Sequence, residues 1–230
     1  MRGPAAARGR AYITIVIYAR SAYSDRYLNQ EAEAALRHSP EQAEAARRRV
    51  LDAAGRAFRV HGFGGVGVDG LAQAAGLTSG AFYAHFRSKA AAFRAVVAAG
   101  IERLRLGVEG FKRRYGDEWF DAFAAYYLGS AHRGDVAGGC AVPSLSAEVA
   151  RADEGVRAEY ETELKRVAEE VAAGLGGGLP RQAAWPLIAQ LAGGVLLARA
   201  VADKALAEEI ARATLKSLRE QERAASQRSA

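Results

Sequence analysis

Apolar residues recur at helical spacing through most of the chain after residue 40. In the first such segment Val50, Ala54 and Phe58 share one face, whereas Arg47, Arg48, Arg49, Arg56 and Arg59 lie largely elsewhere. Pro40 marks its start, because proline suits the first helical position, and His61-Gly62 marks its expected end. Further helices are predicted over residues 89–115, 117–132, 144–152, 154–175, 181–202 and 204–222. The pattern predicts an all-α protein.

Residues 1–39 differ from the rest of the chain. They contain a Gly/Ala/Arg-rich start and a β-branched run from Ile13 to Ile17. A strand here would have no convincing partner strand, and an unpaired strand leaves backbone groups unsatisfied. We predict a disordered N-terminal extension over 1–39 and a short tail over 223–230.

Composition narrows the class of protein. The chain has 230 residues, half of them apolar, and one cysteine, Cys140, which excludes an internal disulfide framework and fits a reducing compartment. The apolar run Ala11 to Ala19 is shorter than the roughly 20 residues that span a bilayer, and no clear cleavage site for a secretory signal follows it. We expect a cytoplasmic protein without a membrane span.

The net charge is +6, and the positive excess lies in residues 1–105. Such asymmetry suggests an anionic partner for the N-terminal half, most commonly nucleic acid, although a basic solvated face gives the same count.

The stretch GFGGVG, Gly62 to Gly67, satisfies the dinucleotide-binding pattern G-x-G-x-x-G. That fingerprint needs a preceding strand and an acid about 20 residues later. The preceding segment is helical in period, and no acid lies between Asp69 and Glu102. These glycines are therefore assigned to a turn between helices, and GLGGGLP at Gly174 to a helix end and loop.

The run VDGLAQAAGLTSGAFYAHFRSK, Val68 to Lys89, predicts two short helices joined by a tight turn. Gly76 suits a left-handed residue after the first helix, and Thr78 or Ser79 suits the cap of the second. Phe82 and Phe86 lie four residues apart and are expected to point inward. This is the pattern of a helix-turn-helix, whose second helix enters the major groove of DNA.

The sequence around this run resembles the tetracycline-repressor-like (TetR/AcrR) transcriptional regulators. The resemblance extends over RRRVLDAAGRAFRVHGFGGVGVDGLAQAAGLTSGAFYAHFRSKAAAF and is closest in LAQAAGLTSGAFYAHF and in the SK that follows. It implies an all-helical homodimer, with a three-helix DNA-binding domain over residues 40–88 and a larger ligand-binding and dimerisation domain over 89–222.

By position, the resemblance implies DNA contacts along the second helix and at the start of the next. The residues concerned are Gly67, Thr78, Ser79, Gly80, Ala81, Tyr83, His85 and Lys89. Gly67 replaces the usual Ser or Thr and removes a phosphate contact. Gly80 and Ala81 offer little for base readout, so specificity is expected to depend on Tyr83, Ser79 and DNA shape. The alternative for each of these positions is an ordinary exposed residue without a DNA contact. For Arg47 to Arg49, a solvated helix face is favoured over direct contact with DNA.

An effector cavity is implied by the same resemblance, and aromatic residues mark where it is expected. The candidate ligand-binding residues are Trp119, Phe120, Phe123, Tyr126, Tyr127 and Cys140. For any single aromatic residue we favour a role in core packing, although at least one is expected to contact the effector. For Cys140 a buried thiol is favoured over an oxidant sensor. The four histidines are dispersed, so no metal, cofactor or catalytic site is expected.

The last two helices carry the prediction of a dimer. Segment 183–201 is apolar around much of its circumference, and the following helix has heptad-like spacing. The candidate dimerisation residues are Leu187, Leu191, Gly194, Leu206, Ile210 and Ala213. A core within one protomer is the alternative.

Together these observations favour a ligand-responsive transcriptional regulator, most simply a repressor that binds a near-palindromic operator and is released by an apolar or aromatic small molecule. The alternative is a helical small-molecule-binding protein with only non-specific or architectural DNA binding. Sequence-specific binding in competition with other DNA separates the two.

Overall fold

The computed structural model describes the backbone of residues 40–228, and these residues contain α-helices and 3-10 turns but no strands. The predicted extension over 1–39, with its β-branched run, lies outside the described residues. The chain divides into two units, Met1–Arg48 and Arg49–Ala230, and the second contains the hydrophobic core. The predicted all-α class is confirmed.

The first four helices contain the segment that resembles a helix-turn-helix. They are α1 (Pro40–Gly65), α2 (Val68–Ala74), α3 (Ser79–His85) and α4 (Lys89–Tyr115). Within α1, Gly62 leaves helical geometry with φ 73° and ψ 171°, so the helix is broken close to its predicted end and one further turn follows. A side chain would be strained there, because residues other than glycine rarely adopt this conformation.

Six more helices follow after a 3-10 turn at Gly116–Glu118. They are α5 (Trp119–Leu128), α6 (Ser130–Gly134), α7 (Ala141–Val149), α8 (Glu154–Gly174), α9 (Trp185–Ala200) and α10 (Lys204–Arg228), with a second 3-10 turn at Arg181–Ala184 before α9. α4 packs along α8 and also contacts α5 and α7, while α9 and α10 pack against each other and against α5.

Three predicted helix boundaries were wrong. The helix predicted over 117–132 is divided at Gly129, whose extended backbone separates α5 from α6. The helix predicted to begin at 144 begins at Ala141, because Pro143 falls in its first turn, where proline is tolerated. The last helix continues to Arg228, through most of the predicted tail.

The short helix α6 and the break before it are held by two arginines. Arg133 is buried, donates to the carbonyl of Leu128 at 2.7 Å and pairs with Glu208 of α10. Arg199 of α9 donates to the carbonyls of His132 and Arg133 at 3.0 and 2.9 Å. These bonds satisfy backbone carbonyls that the irregular chain leaves without helical partners.

Residues 181–200 are long and apolar enough to cross a membrane by length and composition alone, with a mean hydropathy of 1.3. Leu187, Leu191 and Val195 of this segment are buried within the protein. A core helix of a water-soluble protein passes the same test; α10 and α5 pack against one side of this helix, while Leu196 and Leu197 are exposed.

Candidate nucleic-acid interface and adjoining cavity

The turn between α2 and α3 has the geometry of a helix-turn-helix. Gly76 lies in the left-handed region with φ 69°, as predicted, and the N–H of Leu77 donates to the carbonyl of Ala72 at 2.9 Å. Leu71 and Ala72 are buried on the inner face of α2. The chain therefore reverses within a few residues and places α3 across α2.

The start of α3 is fixed by side chains. Thr78 is the cap, and its hydroxyl accepts a hydrogen bond from the N–H of Ala81 at 3.2 Å. Ser79 donates its hydroxyl to the carboxylate of Asp69 at 2.5 Å, which links α3 to the first turn of α2. For Ser79 to contact a DNA base, its hydroxyl must either break this hydrogen bond to Asp69 or accept a second one while keeping it.

Phe82 and Phe86 point inward as predicted, with exposed fractions of 0% and 3% and ring centroids 5.5 Å apart. The side chain of Tyr83 is half exposed. Its ring centroid lies 6.4 Å from that of Phe82, and the two ring planes are 80° apart. Two core aromatics thus fix the rotation of α3 about its axis and direct Tyr83 outward.

Two glycines near this surface leave open space. A Cβ atom built on Gly67 or on Gly80 meets no atom within 4 Å. Gly67 precedes α2 as its cap without a side-chain hydrogen bond. The surface at Gly80 and Ala81 is therefore shallow and accessible to a partner.

Lys89 begins α4 at the rim of the same surface. Its Nζ lies 4.4 Å from the ring centroid of Phe63, a cation–π contact that orients the side chain. Ser88 caps α4 by accepting from the N–H of Ala91 at 3.0 Å. His85 is half-buried at the end of α3, and Arg87 is exposed. The rim carries the positive charge that phosphates require.

A cavity of about 240 Å³ lies in the larger unit, between residues of α1, α4, α5 and the segment before α7. Four of the six predicted ligand residues line it, namely Phe123, Tyr126, Tyr127 and Cys140. The other two, Trp119 and Phe120, are buried beside a neighbouring apolar void of only about 20 Å³, which Phe123 and Tyr127 also line. Trp119 and Phe120 therefore do not face the cavity itself.

Three polar groups of the cavity wall, on His132, Tyr127 and Cys140, favour their neutral states. His132 Nδ1 donates to the carbonyl of Tyr127 at 2.6 Å, and burial lowers the pKa of His132. Burial also raises the pKa of the Cys140 thiol and of the Tyr127 hydroxyl. A protonated thiol is a poor nucleophile, as expected of a structural cysteine.

Arg59 was misassigned from the sequence, which placed it away from the apolar face of α1. Its side chain is buried, with 7% exposed, and lines the cavity. Helical periodicity identifies the apolar face but not a polar position that another segment covers. The nearest signal is Gly55, one turn earlier, where a Cβ atom would lie 3.3 Å from the Arg59 guanidinium.

The predicted dimerisation residues divide into two groups. Leu187, Leu191 and Gly194 are buried within the protomer, so they are not available to a second chain. Leu206 and Ala213 of α10 are exposed, and Ile210 is half-buried. Leu196 and Leu197 of α9, which the sequence analysis did not single out, are more than half exposed.

Among residues 40–228 there is no group of three or more histidine, cysteine or acidic side chains that could hold a metal ion.

Comparisons with known proteins agree with this geometry. A family model described as bacterial regulatory proteins, tetR family, matches residues 50–96, which include α2, α3 and the start of α4. No curated protein is significantly similar to the chain.

Solved structures share the fold across most of the chain. The Escherichia coli NemR in its reduced form is 22% identical, with a TM-score of 0.65, and the match covers 76% of this chain and 97% of that one. A TetR-family regulator from Agrobacterium tumefaciens is 20% identical, with a TM-score of 0.63 and coverage of 76% and 97%. SCO4454 from Streptomyces coelicolor, of the same family, is 23% identical, with a TM-score of 0.62 and coverage of 79% and 96%.

Proposed function

Because the chain carries the N-terminal domain of the TetR family of bacterial regulatory proteins, we propose that it is a ligand-responsive transcriptional repressor that binds a near-palindromic operator as a homodimer. The observation that carries this proposal is α3, which exposes Tyr83 and the small residues at its start while Phe82 and Phe86 anchor it in the core. Such a regulator acts on DNA in the cytoplasm and has no catalytic role.

In this proposal α3 is the recognition helix. Ser79, Gly80 and Ala81 face base edges, while Tyr83, His85 and Lys89 contact the sugar-phosphate backbone, helped by backbone N–H groups at Gly67 and Thr78. The shallow surface lets the backbone of α3 approach the groove closely. Sequence preference then rests on Tyr83, on Ser79 and on the shape of the DNA.

The dimer is proposed to form through the outer faces of α9 and α10. Leu196, Leu197 and Leu206 are large apolar side chains exposed on these two helices. Two copies of each helix would bury them in a four-helix interface and set the two recognition helices about one DNA turn, roughly 34 Å, apart. The operator should therefore consist of two half-sites related by a two-fold axis.

The cavity beside α4 is proposed to bind the effector. α4 begins at Lys89 next to the recognition helix and runs past the cavity through Gly100, Leu104 and Phe111. A ligand that favours one orientation of α4 would change the separation of the two recognition helices. It can release DNA only to the extent that it binds the DNA-free state more tightly.

Selection from random DNA with the purified full-length protein tests the proposal. Sequencing of the bound pool should give a near-palindromic consensus, and Tyr83→Ala should lose it while the oligomeric state stays unchanged. Tyr115→Ala is the matched control, since Tyr115 is similarly exposed but lies at the far end of α4. Binding without a consensus, weakened equally by salt on all sequences, would instead indicate non-specific or architectural DNA binding.

A further inference from the structure

A buried cation from the DNA-binding segment forms part of the wall of the effector cavity. Arg59 lies on α1 with only 7% of its surface exposed. Its Nε donates to the carbonyl of Ala137 at 2.6 Å, and its two terminal nitrogens lie beside Gly55, one turn earlier on α1.

No carboxylate balances this charge directly. Among the described residues no acidic oxygen lies within 4 Å of the Arg59 guanidinium, and Asp52 on the same helix is paired with Arg103 at 2.8 Å. Burial lowers the pKa of Arg59, and the nearby cations Arg103 and Arg56 lower it further. A buried charge without a counterion is costly, so an anion placed beside it would be stabilised.

The rest of the wall suits an aromatic body. Phe111, Phe123, Tyr126 and Tyr127 supply aromatic surface, and Gly107 leaves room on α4. A cavity of about 150 Å³ is known to hold benzene, so about 240 Å³ accommodates one ring with a short substituent. Larger ring systems would require the wall to move.

We propose, on the basis of the effector response inferred above, that the effector is a compact aromatic carboxylate whose anionic group pairs with the Arg59 guanidinium. The planar fork of an arginine matches the two oxygens of a carboxylate, and charge-assisted pairs of this kind are among the strongest polar contacts. The aromatic ring lies against Phe123 and its neighbours, and the carboxylate lies toward α1.

This position gives the ligand direct contact with the DNA-binding segment. Arg59 is adjacent to Phe58, whose ring packs on Phe93 of α4 at 5.2 Å, and is three residues before the break at Gly62. A carboxylate at the terminal nitrogens of Arg59 shares the guanidinium with the Ala137 carbonyl, which accepts from Nε. The effector therefore changes the bond that ties α1 to the segment before α7.

Titration calorimetry with two matched pairs of probes tests the proposal: benzoate against benzamide, and phenylacetate against phenylacetamide. The carboxylates should bind the wild-type protein, and the isosteric neutral amides should bind about 10-fold or more weakly. This comparison needs no variant and so does not depend on the folding of a mutant protein. Equal binding of acids and amides, or no binding of either acid, would overturn the proposal.

Two variants locate the site. Arg59→Gln should weaken carboxylate binding by about 10- to 100-fold and leave amide binding unchanged. Arg56→Gln removes the same charge one turn away on an exposed position and is the matched control, with little expected change. Equal loss in both variants would mean that the general positive potential, and not a pair with Arg59, attracts the anion.

The same probes, added to the protein on its selected operator, should release DNA from the wild-type protein and not from Arg59→Gln. Carboxylate binding that leaves operator affinity unchanged would overturn the assignment of this class as the effector. Failure of the proposed function shows separately, as the absence of a selected operator in the ligand-free protein.

Discussion

Replacing Gly62 by alanine should destabilise the protein through its backbone. At φ 73° and ψ 171° Gly62 occupies a region almost restricted to glycine, which costs other residues about 1–3 kcal/mol. The added Cβ atom would also lie 2.6 Å from Glu148 Oε1, but that atom ends a flexible side chain whose ion-pair partner, Arg151 at 3.6 Å, is largely exposed. The backbone term should therefore dominate, with a loss of about 2 kcal/mol in the free energy of unfolding.

Urea denaturation and thermal melting at one fixed protein concentration measure this loss. In a chain of this size about 2 kcal/mol corresponds to a fall in Tm of roughly 4–8 °C. Gly64→Ala is the control, because its backbone is unstrained and its Cβ atom meets nothing within 4 Å. The double variant Gly62→Ala/Glu148→Ala should keep most of the loss. Full recovery there would refute the backbone explanation, and equal stability of the two glycine variants would refute the left-handed geometry itself.

Four further outcomes are expected. Phe82→Ala should lower the free energy of unfolding by about 3–5 kcal/mol in urea titrations, because its side chain is fully buried. Thr78→Ala should cost about 1 kcal/mol through loss of the helix cap, and Thr78→Ser should restore it. Burial lowers the pKa of His132 below its ordinary value of 6.5. As the pH falls below 6.5, the unfolded chain therefore binds a proton at this histidine more readily than the folded protein does. Denaturation series should therefore show stability falling between neutral and mildly acidic pH, with a flatter profile for His132→Gln; an identical profile would contradict the assignment. Replacing Leu197 and Leu206 together by glutamate should give a monomer in light scattering and greatly weaken operator binding, while helix content is retained. A dimer that survives both changes would move the interface elsewhere.

The helix-turn-helix could be predicted because its determinants are local. The left-handed glycine, the capping threonine and the two phenylalanines four residues apart all lie within Gly76 to Phe86, and each does in the structure what its residue type favours. A turn specified by neighbouring residues needs no knowledge of the rest of the fold.

The cavity depended on contacts that sequence periodicity does not contain. Arg59 is polar by composition yet buried, because the segment before α7 folds over it and offers the Ala137 carbonyl. Conversely, Trp119 and Phe120 belong to the same aromatic run as Phe123, which lines both voids, but they line only the smaller one. Which polar side chain is covered depends on how distant segments pack, and no residue type alone specifies it.

The shallow start of α3 also affects how such a protein can evolve. Side chains at Gly80 would project into empty space, whereas Phe82, two residues later, is completely enclosed. Substitutions at Gly80 and Ala81 therefore change what the helix reads at little cost in stability, and the glycine leaves every larger residue type open as a first step. A duplicated copy of the gene therefore needs few substitutions to recognise a different DNA sequence, while the buried Phe82 and Phe86 keep the helix in the same position.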